Sequence, residues 1–204
     1  IIPISDMSLF FKLEDLENWR LKNYAIYYNI HTTWDPAENS EIFSLPFSIN
    51  RHRLISYYLR HETDITSSDL GYGTNFKSGH TPDLNAAAVK AIQLHKITDF
   101  RYFEQQKAAL EKMISFCHDN GIKVILFIPP GYSAYSSQVD SVQLGVTLNA
   151  CRNFARMYNN VYFFNLLKDT LFTENDYFDA DHLNEIGAKK LSLKMDSMLN
   201  HLAI

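Results

Sequence analysis

Glycine is scarce in this chain, 7 residues in 204, and cysteine scarcer still at 2. So little glycine argues against a loop-rich all-β chain, and Cys117 and Cys151 fall on different predicted helices without metal-ligand spacing. They read as core thiols and not as a disulfide or zinc framework. No apolar run approaches the length of a membrane span, and no signal-peptide pattern is visible. Basic excess is missing too: 19 Lys and Arg against 23 Asp and Glu leave a net charge of -4, which gives no electrostatic footprint for nucleic acid. What is present is an ordinary hydrophobic share of 46% with 14 Phe and 12 Tyr, enough for one domain spanning 1–204 to bury a core without staples.

Ile1 to Ile4 is a short β-branched run closed by Pro3 and Ser5, and it reads as the tail of a buried strand. Apolar residues then recur at helical spacing over about 13–30 (Leu13, Leu16, Trp19, Leu21, Tyr24, Ile26), predicting one helix with an aromatic face. Residues 31–48 read as an irregular connection, and a second helix is expected over about 50–60. The polar stretch from Glu62 to Pro82 carries Gly71, Gly73, Asn75, Gly79 and His80. It is the candidate substrate loop, with Asn75 the candidate binding residue, because long connections without their own structure tend to carry function. Its glycines make no phosphate-binding motif, since no apolar strand precedes them and no Gly-Lys-Ser/Thr follows. Thr81 and Pro82 read as the N-cap and first-turn proline of a helix running to about Ile97.

The second half gives the architecture. A helix over about 101–120 stops at Gly121 and feeds the fully apolar run Val124 to Ile128, which Pro129 and Pro130 close. The order repeats with a helix over about 139–159 and the run Val161 to Phe164, followed by a loop and a terminal helix over about 184–201. Continuous apolar strands alternating with long helices predict parallel strands in an α/β layer fold. Three strands are few for such a sheet, and the first enters at residue 1. The sheet is therefore expected to be N-terminally incomplete, with a strand or strands missing before Ile1.

Open parallel sheets bind ligands outside the carboxyl ends of their strands. Those ends here are Ser5 and Asp6, the segment from Pro129 to Tyr135, and the loop holding Asp179 to His182. Asp179 lies three residues before His182, and a histidine relay needs such a carboxylate to fix the imidazole tautomer and stabilise the imidazolium. His182 is the candidate general base, Asp179 its orienting carboxylate, and Asp181 a structural acid ahead of the terminal helix. Ser5 is the best internal candidate for a nucleophile because it follows a strand at this rim. Tyr132 and Tyr135 are candidates to line the substrate cleft, while Ser133 and Ser136 read as surface residues. Asp179, Asp181 and His182 form the type of set that holds a divalent ion, but no second ligand cluster supports them, so neither metal nor cofactor is expected. The remaining histidines are scattered without ligand spacing.

The block Asp179, Ala180, Asp181, His182, Leu183, Asn184, then Gly187 and Ala188, resembles the C-terminal block of the SGNH (GDSL-type) hydrolases and acyltransferases. The strand and turn Val124 to Pro130 with Tyr132 and Tyr135 resemble the DltD-like or alginate-acetyltransferase-like branch. The resemblance implies a three-layer αβα sandwich with a parallel, flavodoxin-like sheet and an Asp-x-x-His relay. It implies a serine-dependent ester hydrolase or O-acyltransferase acting on a small-molecule or carbohydrate ester of the bacterial cell envelope or periplasm, with the cytoplasm as the alternative location. No Gly-Asp-Ser occurs, and Ser5, Asp6, Met7 and Ser8 stand where the family has Gly-x-Asn-Asp. The nucleophile is thus expected upstream of Ile1, on a segment that would also account for a membrane-proximal location. The competing expectation is a noncatalytic binding or assembly module that keeps the acid-His loop and lacks a nucleophile.

Overall fold

The computed structural model of the chain describes residues 1–62, 73, 75–79 and 83–202. Where the sequence reads as one domain, contacts divide it into two compact units, Ile1–Phe10 with Asn75–Ile204, and Phe11–Thr74. Strand β1 (Ile2–Pro3) opens the first unit. The second unit carries α1 (Leu13–Leu16), α2 (Leu21–Tyr28), α3 (Pro36–Asn39), α4 (Glu41–Ser44) and α5 (Phe47–Ile55), which continues as a π turn over Ser56–Arg60.

The single helix expected over 13–30 is thus two. Glu17 leaves helical conformation at φ -132°, ψ 40°, a 3-10 turn occupies Asn18–Arg20, and Asn29 closes α2 in the left-handed region at φ 55°. Its aromatic face is not core, for Trp19, Tyr27 and Tyr28 are exposed. Charge helps to tie this unit together: Glu41 accepts Lys22 Nζ at 2.7 Å and Arg53 at 2.5 Å, bridging α2, α4 and α5.

The first unit continues with α6 (Leu84–His95), α7 (Phe103–Asp119), β2 (Val124–Ile128), α8 (Ser133–Ser136), α9 (Ser141–Met157), β3 (Val161–Asn165) and α10 (Glu185–His201). The N-cap of α6 is Asp83, whose carboxylate accepts the Asn85 and Ala86 amides at 3.0 Å. Thr81 and Pro82, expected in that role, lie outside the described residues together with Gly71 and His80. Gly121 stops α7 at φ 68°: its amide reaches the His118 carbonyl at 3.1 Å, and Ile122 reaches Cys117 at 2.7 Å. That paired closure needs a left-handed residue, which glycine supplies without steric cost.

The strands form one parallel sheet in the order β1-β2-β3, with Ile2 opposite Leu126 and Leu126 opposite Phe163. Because strand side chains alternate, β2 feeds two clusters. Val124, Leu126 and Ile128 pack with Ala88 and Ala91 of α6, Ile114 of α7, and Ala150 and Phe154 of α9. Ile125 and Phe127 pack with Leu191, Met195 and Met198 of α10. The chain is therefore mixed α/β, with helix-packed apolar residues on both faces of its central strand. Cys151 is buried in the first cluster with its thiol pushed up to about 12 by burial, and Cys117 is also free. No described helix is long and apolar enough to cross a membrane.

Asn184 fixes where α10 begins. Its side-chain oxygen accepts the Ile186 amide at 2.9 Å and the Gly187 amide at 3.1 Å, and its Nδ2 donates to the Asn175 carbonyl at 2.8 Å and the Tyr177 carbonyl at 3.3 Å. Asn184→Ala removes the cap and strands two carbonyls, so a loss of roughly 2–3 kcal/mol is expected in chemical denaturation. Asn184→Asp keeps the acceptor and should lose less; equal losses would show that the cap carries no weight.

Candidate active site

The three carboxyl ends of the strands meet. The Tyr132 amide donates to the Ala180 carbonyl at 2.9 Å, joining the turn after β2 to the loop before α10. The Tyr135 hydroxyl donates to Asp6 Oδ1 at 2.9 Å, joining the same turn to the end of β1.

The loop that carries the acid and the histidine is closed by its own backbone. The Phe178 amide reaches the His182 carbonyl at 2.8 Å, Tyr177 bridges Leu183, and Asn184 donates to the Asp176 carbonyl at 2.9 Å. Beneath it Asp176 is fully buried, its Oδ2 accepting Lys190 Nζ at 2.7 Å, the Thr173 amide at 2.8 Å and the Thr173 hydroxyl at 3.1 Å. These bonds hold the loop to α10. Burial works against the Asp176 charge, but the Lys190 and Thr173 bonds outweigh it and hold the carboxyl below the usual range.

Within this loop Asp179 receives three donors on one carboxylate. Its Oδ1 takes the His182 amide at 2.8 Å and the Asp181 amide at 3.1 Å, and His182 Nδ1 lies 2.9 Å and 3.1 Å from its two oxygens. Burial opposes the Asp179 charge, yet the His182 bond and the two amides prevail and lower its pKa. The partner moves the other way: the bond to Asp179 raises His182, with the nearby Asp181 charge adding to it against partial burial. An ionised Asp179 can only accept, so the proton on the neutral ring sits on Nδ1 and Nε2 keeps its lone pair. The His182 side chain is 56% exposed, open to an incoming group.

Phe76 supports the ring from behind. It stacks on His182 with centroids 5.8 Å apart and meets Phe178 edge-on at 5.0 Å. Its segment is clamped to the start of α10: the Ser78 amide and hydroxyl donate to Glu185 at 2.7 Å and 2.9 Å, and the Glu185 amide donates to the Phe76 carbonyl at 3.1 Å. The polar loop thus reaches the site through Phe76, one residue beyond the expected Asn75, which is exposed and whose carbonyl accepts the Lys77 amide at 3.0 Å. An aromatic within a glycine-dotted polar stretch was the available signal.

Tyr135 does not line a cleft as expected. It is 4% exposed, and its hydroxyl is committed to Asp6 and, at 2.8 Å, to His95 Nδ1. Tyr132 does line one: a cleft of about 640 Å³ runs along the turn after β2 and the loop after β3, with Phe172 and Tyr177 beside Ser133, Ser136 and Thr173. Ser136 is buried, contrary to its surface reading, and donates to the Ser133 carbonyl at 3.4 Å. Ser5 Oγ lies 2.9 Å from Ser8 Oγ and accepts the Met7 amide at 3.4 Å. Among the described residues no serine or threonine hydroxyl is hydrogen-bonded to His182. Asp179, Asp181 and His182 offer ligand atoms all within 4.8 Å of one another, so the set expected to suit a divalent ion is spatially real. The chemistry of the donors points elsewhere, because His182 Nδ1, the nitrogen nearest both acids, is already spent on Asp179.

These groups make an oriented acid-histidine pair at the rim of a parallel sheet; neither Asp179 nor His182 lines the aromatic cleft, but Tyr132 and Tyr177, which do, are bonded to the loop that carries them, through Ala180 and Leu183. No family model matches this chain, and neither does any curated protein or solved structure among those compared.

Proposed function

We propose that the chain carries the acid-base pair of an acyl-transfer site: an ester hydrolase or O-acyltransferase of SGNH type in which His182 is the general base and Asp179 its orienting carboxylate. The observation that carries this reading is the bond from His182 Nδ1 to Asp179 at 2.9 Å, which leaves Nε2 with no hydrogen-bond partner among the described residues, on a half-exposed ring. In that role Nε2 takes the proton of an attacking hydroxyl as the hydroxyl adds to an acyl carbonyl, then returns it to the leaving alcohol. A serine fits this role best, and the acyl-enzyme is resolved by water or by a sugar hydroxyl. Helices on both faces of β2 are consistent with a three-layer αβα sandwich of the flavodoxin-like kind. The cleft of Tyr132, Phe172 and Tyr177 with its hydroxyl-bearing rim suits a carbohydrate ester, and the resemblance directs that substrate to the bacterial cell envelope.

The test is turnover of a panel of acetyl and longer acyl esters, with and without polysaccharide acceptors, by the protein and by His182→Ala. Turnover that collapses in the variant supports the reading, and turnover equal in both proteins sinks it. A second reading is favoured by one observation, the lack of a described hydroxyl on His182: a noncatalytic module that binds acylated glycans. Its mark would be glycan binding, unchanged in His182→Ala, with no ester turnover in either protein.

A further inference from the structure

Behind the acid-histidine pair runs a second line of polar groups that the acyl-transfer chemistry does not require. Asp181 Oδ2 lies 3.5 Å from His182 Nδ1 and also 3.5 Å from His95 Nε2, so one carboxylate stands between two imidazoles. His95 ends α6, and its Nδ1 lies 2.8 Å from the Tyr135 hydroxyl on α8, which donates to Asp6 at the end of β1. The line is fixed from α9: Gln143 Nε2 donates to the His95 carbonyl at 2.9 Å and to the Asp6 carbonyl at 3.2 Å, while Gln143 Oε1 accepts the Ile97 amide at 2.9 Å. Asp6, Tyr135 and Gln143 are buried, and the side chains of Asp181 and His95 are only 18% and 20% exposed.

Proton bookkeeping along this line decides what His95 shows to Asp181. With Asp6 ionised, Tyr135 donates to it, His95 Nδ1 must donate to the tyrosine oxygen, and a proton on Nε2 makes His95 a cation. If Asp6 holds that third proton instead, it donates to Tyr135, Tyr135 donates to Nδ1, and His95 is neutral. The two arrangements contain the same three protons, interconverted through the tyrosine hydroxyl, and both turn an Nε2–H towards Asp181; with that third proton lost, Asp6 is ionised, Nδ1 donates to the tyrosine oxygen and Nε2 carries a lone pair. Burial keeps the tyrosine protonated and lifts the Asp6 carboxyl, which the Tyr135 bond and the His95 charge pull back. Asp181 is likewise lifted first by burial, with His182 and His95 lowering it and the Asp179 charge raising it.

The consequence concerns the base. Two carboxylates beside His182, Asp179 and Asp181, both favour its charged form, and a base held protonated cannot accept a proton. We propose that His95 is a positioning residue that engages Asp181 from the far side, so that His182 keeps the orientation given by Asp179 without being over-stabilised as an imidazolium. This rests on the reading of His182 as a general base. Among the described residues, the titratable groups facing the pair are Asp6 and Tyr135 beyond His95, Asp181 between the rings, and Asp179 on His182.

The experiment is a side-chain NMR titration of the histidines in the full chain, which needs no substrate. In His95→Gln the midpoint of His182 should rise by roughly 0.5–1 pH unit, because Asp181 then acts on His182 alone. In Asp181→Asn it should fall. A His182 midpoint unchanged in His95→Gln overturns the proposal. Should that variant not fold, the unmodified protein decides: a second inflection in the His182 curve at the His95 midpoint supports the coupling, and its absence overturns it. Lost coupling with intact ester turnover defeats this inference alone, whereas turnover indifferent to His182→Ala defeats the base reading beneath it.

Discussion

Gly187→Ala should unfold the loop that holds the candidate site, at a cost of about 3 kcal/mol or more. The reason is a backbone approach and not helix propensity. A Cβ at residue 187 would run into the Asp176 carbonyl oxygen, and would lie 2.9 Å from Leu183 Cδ2 and 3.1 Å from the Asp176 carbonyl carbon. Flexible side chains can yield to such contacts, but this carbonyl is held, because it accepts the Asn184 amide at 2.9 Å and so closes the loop. Relief would have to open that closure or shift the start of α10 away from the buried Asp176. A drop in Tm of roughly 6–12 °C is expected for a domain of this size. The control is Gly145→Ala in α9, where a Cβ meets nothing within 4 Å. There alanine should be neutral or stabilising by about 0.5–1 kcal/mol, since only the helix preference of the backbone changes. Equal destabilisation at the two glycines would remove the steric account.

That contrast also shows what the sequence could and could not convey. Gly187, three residues after Asn184, belongs to the quoted block, and the structure supplies its reason: Asn184 caps α10 while the first turn presses on Asp176. The strands were legible because each is a continuous apolar run with punctuation, Gly121 before Val124 and Pro129 after Ile128. The helices over 103–119, 141–157 and 185–201 were legible to within two residues for the same cause. The break at Glu17 was not, since apolar spacing continued across it: periodicity reports a face suited to burial, and here Trp19 and Tyr27 remain exposed. The Asp179–His182 pair could be read because its members are three residues apart. The line from Asp6 through Tyr135 to His95 could not, for its bonds join residues 129 and 40 positions apart. Asp6 alone carried a usable hint, an acid directly after a strand at the chemical rim.

Asp179→Asn should cost roughly 10^3–10^4 in kcat/KM for ester turnover while leaving KM nearly unchanged. The asparagine oxygen still accepts the Asp181 and His182 amides, so the loop keeps its turn, but two properties go. A neutral amide no longer stabilises the imidazolium formed when Nε2 takes the proton. Its NH2 can also face Nδ1, favouring the tautomer with Nε2 protonated and unable to act as base. The pH profile separates these effects from a loss of structure. Since Asp179 is the main cause that raises His182, the acidic limb of kcat/KM should lie above 6.5 in the native protein and move down in the variant. Stability follows the same linkage. His182, raised in the fold, contributes fully below 6.5 and loses that contribution as pH rises through its folded value, while Asp179, lowered in the fold, contributes above 3.8 and loses it as pH falls. The pair therefore stabilises most between those two values, and Asp179→Asn should flatten Tm against pH across that interval. A rate loss without movement of the limb would mean that Asp179 acts through the loop's shape and not on the imidazole. A moved limb with the native rate would mean that His182 governs activity and that Asp179 tunes its titration without contributing to the rate.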